Sequence, residues 1–155
     1  MKRLLRYIKG TVDQGIVFPK TGESRLQLTV FSDADMVGDI DKWRSTSSML
    51  VFLGSAPISW LSLKQKVVAL STCEAEYVAA AIAACQAVWL RRLLGELTGA
   101  EARPPALMVD NQPAIALTKN LVHHDRSKHI DVKFHFLRDY IDGGQIIIEF
   151  VETGR

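Results

Sequence analysis

Three carboxylates stand where a fold could gather them. Asp33 closes a strand-like run, Glu76 lies on the second turn of a helix-like run, and Asp110 closes another strand-like run. Strand ends deliver side chains to the crevice at the edge of a sheet, and a helix crossing the first strand would bring Glu76 to the same point. Two carboxylates about 4 Å apart repel by about 4 kcal/mol at an effective dielectric of about 20. Three cannot all stay ionised there without a cation. Hard oxygen ligands suit Mg²⁺ or Mn²⁺, which keep several waters and also bind phosphate oxygens. A pair of such ions supports in-line attack of water on a phosphodiester. On spacing alone, a solvated surface acid is the simpler account of any one of the three.

The elements that must position these acids are legible in outline. Residues 2–9 carry Leu4, Leu5 and Ile8 at helical spacing before Gly10, which predicts a short amphipathic helix that packs on the domain or continues an upstream one. Residues 25–33 alternate with period two, with Leu26, Leu28 and Val30 on one face and Phe31 and Asp33 on the other. Residues 34–46 are polar and read as a loop. Runs 48–53 and 57–62 flank Gly54-Ser55-Ala56 and read as a hairpin. A long helix follows over about 72–97. Ser71 is its N-cap, Glu74 completes a capping box, and the Ala79–Ala84 stretch has side chains small enough for close packing on a sheet. Gly99 and Pro104-Pro105 end that segment. A buried strand at 106–110, a short helix at 112–119, a loop at 120–130, a helix at 131–142 and a last strand at 145–151 complete the chain. An antiparallel opening followed by alternating helix and strand implies a mixed sheet.

Composition sets the frame. The 155 residues favour one domain, and 48% hydrophobic with 23% charged residues is ordinary for a globular chain. The net charge of +2 does not by itself argue for a nucleic-acid partner. Its distribution is more pointed: Lys2, Arg3, Arg6 and Lys9 cluster at the start, and His123, His124, Arg126, Lys128, His129 and Lys133 cluster later. Cys73 and Cys85 fall twelve residues apart on the long helix, about 18 Å at 1.5 Å per residue, too far for a disulfide. They read as thiols, and no Cys-x-x-Cys spacing suggests zinc. No run of about 20 uninterrupted apolar residues predicts a membrane span, and the basic start lacks the apolar stretch of a secretory signal.

The ordered wording of the sequence resembles the ribonuclease H domain of copia-type LTR retrotransposon Pol polyproteins. The resemblance rests on Ser32-Asp33-Ala34-Asp35 leading to Gly38-Asp39, Arg44-Ser45-Thr46-Ser47, Pro57-Ile58-Ser59-Trp60, Lys64-Gln65-Lys66 and Ser71-Thr72-Cys73-Glu74-Ala75-Glu76-Tyr77. It continues through Val109-Asp110-Asn111-Gln112-Pro113-Ala114-Ile115 and Lys128-His129-Ile130-Asp131 with His135-Phe136, covering residues 3 to 151. It implies an α/β ribonuclease H-like fold, a five-stranded mixed sheet flanked by helices. It also implies a Mg²⁺-dependent (or Mn²⁺-dependent) hydrolase with two ions in the complete site, an endonuclease cleaving the RNA strand of an RNA–DNA hybrid during reverse transcription. Asp33, Glu76 and Asp110 match the family's catalytic, metal-holding acids. Asp33 would bridge both ions, and Glu76 and Asp110 would hold the second. His123, His124 and His129 are candidates for the mobile histidine that assists product release in related enzymes, with His124 preferred because it lies in the loop; each also reads as a solvated loop histidine. Arg44, Lys64, Lys66 and Lys119 are candidate contacts to substrate phosphates, each of which also reads as a plain surface charge.

The resemblance divides the chain into an N-terminal helix and tether from the polymerase side (residues 1–24) and the ribonuclease H-like domain (residues 25–155), expected to lack its C-terminal helix. The family's fourth acid lies on that helix. Asp131 is the tempting substitute, but it precedes the last strand and reads as a helix cap. Met36 stands where the family usually has Trp, and Ser48 near a usual Gly. Two readings stay open: a hybrid-cleaving enzyme beside a reverse-transcriptase domain, in a cytoplasmic virus-like particle or the nucleus, or a domesticated, catalytically weak binding or interaction module. A resolvase- or transposase-like member of the same fold is a third, disfavoured by the polyprotein-like wording. Trp43, Trp60 and Trp89 are candidate base-stacking groups, with core burial expected for Trp60 and Trp89 and Trp43 left open in its loop.

Overall fold

The computed structural model describes residues 1–18, 26–39, 43–119 and 128–152. Its elements run α1 (Lys2–Gly10), β1 (Leu28–Asp39), β2 (Arg44–Leu53), β3 (Ala56–Lys64), α2 (Thr72–Thr98), β4 (Ala106–Val109), α3 (Gln112–Lys119), α4 (Lys128–Asp142) and β5 (Ile147–Phe150). The strands form one five-stranded sheet in the order β3-β2-β1-β4-β5. β1, β2 and β3 are an antiparallel meander. β4 then joins β1 in parallel, and β5 joins β4 in parallel. This is the mixed sheet that the sequence pattern predicts, with α2 as the crossover between its two halves.

Period-two alternation decides which strand residues meet the helices. Leu28 and Val30 of β1, Met49 and Val51 of β2, and Leu107 and Val109 of β4 are buried in one cluster with Tyr77, Ala80, Ala83, Ala84 and Ala87 of α2. Leu137 of α4 and Ile146, just before β5, join it. The alanines let α2 lie close on the sheet, and each fully buried Val or Leu contributes roughly 1.5–3 kcal/mol. By length and hydropathy alone α2 could cross a membrane. It is instead the core helix, with a buried surface that includes Glu74 and Glu76.

The opposite face of the sheet carries a second apolar row. Register places Trp60, Leu50, Phe31 and Met108 side by side across β3, β2, β1 and β4. Phe31 meets Phe52 edge to face, with centroids 5.9 Å apart. Trp60 is therefore 63% exposed and Trp89, on the outer side of α2, is 55% exposed, which corrects the expectation that both are core residues. Each sits one position out of phase with its neighbours in the core. Residues 34–46 depart from the expected loop as well: β1 runs on to Asp39 and β2 begins at Arg44. α1 forms as expected but buries none of its residues; Leu4, Leu5 and Ile8 are exposed, so the expected packing on the domain is not found.

The termini of α2 follow the sequence signals. Ser71 has extended backbone and its hydroxyl accepts the Glu74 N–H at 3.2 Å. Glu74 reaches back as a capping box requires, but its Oε2 accepts from Leu70 N–H at 2.8 Å, one residue beyond the usual partner. Gly99 closes the helix with φ of 67°, and its N–H donates to Gly95. That left-handed cap favours a residue without Cβ. Cys73 and Cys85 form no disulfide.

Candidate metal centre

Asp33, Glu76 and Asp110 come together from three elements. Each offers a carboxylate oxygen within 4.8 Å of the others'. Asp33 lies on β1 opposite Ser48 of β2. Asp110 follows directly on β4, whose pairing with β1 ends at Ser32 and Val109. The edge of β1 that faced β4 is therefore vacated beyond Ser32, and Glu76 takes that place. Its Oε1 accepts the Ala34 N–H at 3.1 Å. Asn111, next to Asp110, caps α3 by accepting the Ala114 N–H at 2.8 Å. The backbone at Asp110 is thus held between a strand end and a helix start.

The electrostatics match the geometry. Asp33 is exposed, Asp110 half-buried and Glu76 only 6% exposed. Burial lifts the Glu76 pKa from 4.5 to about 7; the Ala34 N–H opposes the rise, and the charges of Asp110 and Asp33 add to it. Glu76 Oε2 is buried with no hydrogen-bond partner among the described residues. A hard divalent cation answers both conditions: it would fill an orphaned acceptor and neutralise three converging acids. Glu74, two residues away, is committed to its own helix start.

The remaining sequence candidates spread more widely. Lys64 pairs with Thr46, and Thr46 with Asp35. Two strand spacings place Lys64 about 10 Å from Asp35, on the Asp33 face of the sheet. Lys66 is exposed just beyond β3, and Arg44 is half-buried at the start of β2, where it pairs with Asp39. Lys119 ends α3, but its side chain lies outside the described residues, as does His124 altogether. α4 starts at Lys128, so Asp131 occupies the first turn rather than the cap, which corrects the cap reading; its side chain also lies outside the described residues. Trp43 is exposed, with φ of 55°. Two partners were missed in the sequence: the Ala34 amide that holds Glu76, because a backbone donor carries no sequence signal, and the Asn111 cap, whose signal (Asn just before a helix with Pro in its first turn) was available.

Known proteins resemble this chain along its whole length. It is 43% identical over 153 residues, 99% of its own length, to the retrovirus-related Pol polyprotein from transposon RE2 of Arabidopsis thaliana. It is 40% identical over the same length to that from transposon TNT 1-94 of Nicotiana tabacum. The chain spans about a tenth of the length of these relatives, 10% and 11%. No family model matches it. Among solved structures, the N-terminal RNase H domain of a Mycobacterium tuberculosis protein superposes with a TM-score of 0.58 at 15% identity, covering 84% of this chain and 85% of that one. The foamy viral protease-reverse transcriptase, solved in complex with RNA/DNA hybrid, gives 0.59 at 13% identity over 90% of this chain and 20% of that one. RNase H1 from Halobacterium salinarum gives 0.55 at 13% identity over 82% and 86%. The chain therefore has a ribonuclease H-like fold and is related in sequence to the Pol polyproteins of plant retrotransposons.

Proposed function

We propose that this chain is a divalent-cation-dependent, hybrid-binding domain of the ribonuclease H type whose turnover is weak with the acids described. The observation that carries the reading is the convergence of Asp33, Glu76 and Asp110 within 4.8 Å, with no fourth carboxylate joining them among the described residues. On this reading it belongs to a copia-type Pol polyprotein, works beside a reverse-transcriptase domain in the cytoplasm, and takes RNA–DNA hybrid as its ligand.

Each residue has a definable task. Glu76 is anchored through Oε1 by the Ala34 amide, which leaves Oε2 to hold a cation. Asp110 and Asp33 complete an oxygen set on the sheet side, with Asp33 the most open to substrate and solvent. Lys64, on the Asp33 face of the sheet, and the exposed Lys66 beyond β3 offer positive charge that suits substrate phosphates. Divalent ions bound here would supply Lewis acidity and an activated water for attack on phosphorus. Three carboxylates suffice for one well-held ion. A second, on the Asp33 side, finds too few protein ligands among the described residues, so on this reading binding outlasts catalysis.

The test measures hybrid binding by fluorescence anisotropy, and hybrid cleavage in parallel, at fixed salt. The expected result is cation-dependent binding that weakens as salt rises, as phosphate contacts require, with cleavage at least about 10-fold slower than that of a ribonuclease H bearing four acids, about 1.4 kcal/mol of transition-state stabilisation. An Asp33→Asn, Asp110→Asn variant should lose the cation dependence. Cleavage as fast as the four-acid enzyme would overturn the weak-turnover reading, and binding indifferent to cations would overturn the site.

A further inference from the structure

We infer that Gln65 is a positioning residue for the carboxylate site, setting where α2 delivers Glu76. The inference rests on reading the three acids as a cation site, and it concerns a residue that touches none of them. Gln65 follows β3 and is 2% exposed. Its backbone N–H donates to Ser45 O at 2.8 Å, carrying the β2–β3 ladder one residue past Lys64. Its side-chain Nε2 donates twice, to Ser47 Oγ at 2.9 Å and to Ala75 O at 2.9 Å. Both amide hydrogens are thereby spent.

Each acceptor neighbours one partner of the Ala34–Glu76 hydrogen bond. Ser47 stands opposite Ala34 in the β1–β2 pair. Ala34 N–H is the donor that holds Glu76 Oε1. Ala75 is the residue immediately before Glu76. A closed circuit results: Ala34 to Ser47 across the sheet, Ser47 to Gln65, Gln65 to Ala75, Ala75 to Glu76 along the helix, and Glu76 back to Ala34. The circuit fixes the first turn of α2 in both rotation and distance relative to the strand that carries Asp33. Capping by Ser71 cannot do this, because it acts within the helix and its own leading loop. Few side chains could replace Gln65. A carboxylate offers no such donors, and Asn is one methylene too short to span the same gap.

The amide also bears a cost. Gln65 Oε1 is buried with no hydrogen-bond partner among the described residues, an arrangement that is expensive for a purely structural group. An apolar side chain would pack there without that penalty. The double donation toward the site is what distinguishes glutamine.

The experiment titrates Mn²⁺ into the metal-free full chain by calorimetry and compares wild type, Gln65→Met, Ser47→Ala and a remote core control, Leu137→Ala. Met keeps the volume of Gln and removes both donors. Gln65→Met should weaken Mn²⁺ binding at least about 10-fold. Ser47→Ala, which cuts one link, should weaken it about 3-fold and add little in the double variant, since the two residues act as one unit. Leu137→Ala should lower the melting temperature yet leave Mn²⁺ binding within about twofold. A second readout needs no metal: hydrogen exchange at the Ala34 amide should speed up in Gln65→Met and Ser47→Ala relative to neighbouring β1 amides. Should Gln65→Met fail to fold, Ser47→Ala carries both measurements. Wild-type affinity in Gln65→Met or, where that variant does not fold, in Ser47→Ala would overturn the positioning role alone. Wild-type protein that takes up no Mn²⁺, or an Asp33→Asn, Asp110→Asn variant that binds as tightly as wild type, would overturn the site reading and this inference with it.

Discussion

At the start of α2, Glu76 is buried with one carboxylate oxygen bonded to Ala34 and the other without a partner among the described residues. Fifteen residues on, about 22 Å along the same helix, Arg91 is handled in the opposite way. Its Nε donates to Ala102 O at 2.8 Å, Nη1 to Gln145 O at 3.4 Å and Nη2 to Glu101 Oε1 at 3.3 Å. Both ends withdraw an ionisable group from solvent, Glu76 against strand β1 and the partly buried Arg91 against the segments that lead into β4 and β5. At one end each edge of the guanidinium is answered by protein, so the junction serves cohesion. At the other, protein leaves like charges together with an acceptor that has no partner among the described residues, an arrangement that suits a bound cation. A cavity of about 530 Å³ lies beside Arg91.

The largest difference between the two ends should come from cation binding. At a Mn²⁺ concentration about a thousand times its Kd, the wild type should gain about 4 kcal/mol of stability. An Asp33→Asn, Asp110→Asn variant should gain none, and an Arg91→Met variant should gain as much as wild type. Thermal unfolding with and without Mn²⁺ measures all three. Equal gains in wild type and the double asparagine variant would erase the contrast.

A pH series probes the same contrast without metal. The folded-state pKa of Glu76 is about 7, above the 4.5 of an exposed glutamate. Below about 4.5 both states hold the proton. Between there and about 7 the unfolded chain releases it while the folded chain keeps it, so metal-free stability should fall by roughly 3 kcal/mol as pH rises, then level off. Glu76→Gln should remove that slope and should be the more stable protein at pH 8, a gain obtained by giving up the ligand. Urea unfolding across the range tests this; a slope that survives in Glu76→Gln would assign it to another group.

Smaller effects belong to the far end. Arg91→Met should destabilise by about 2 kcal/mol, because it strands carbonyls that now accept from a charged donor. The loss should be independent of Mn²⁺. Glu101→Ala should cost at most about 0.5 kcal/mol, since that carboxylate is 91% exposed. A large loss there would show the Arg91 junction to be ionic rather than backbone-directed.

Much of this arrangement was legible in the sequence where the signals are local. The Ser71 cap, the alanine face and Gly99 define α2 because each acts within a turn or two of itself. The three acids followed from strand ends and motif wording. What escaped was set by tertiary neighbours. Ser45 and Ser47 are polar yet buried, so a strand that continues under α2 read as loop. Gln65 lies between two lysines and reads as surface until Ser47 and Ala75 are brought to it by the fold. Trp60 shows the converse: a large apolar side chain invited a core assignment, but the phase of β3, set by Leu61 packing inward, turns it outward. His124 and the side chain of Lys119 fall outside the described residues.

The strand order also bears on how quickly the site can come into being. β1, β2 and β3 follow one another in the chain and pair as neighbours in the sheet, and local contacts of that kind form early. β4 reaches β1 only after α2 has crossed the sheet, and the Gln27–Pro104 bond that helps close this pairing joins residues 77 apart in the chain. Asp33 and Asp110 are separated by the same span. The meander could therefore collapse with Asp33 already in place while Asp110 is still distant. The last carboxylate should arrive with the slow closure of the parallel half, so that the capacity to hold a cation emerges late in refolding, after most of the secondary structure has formed.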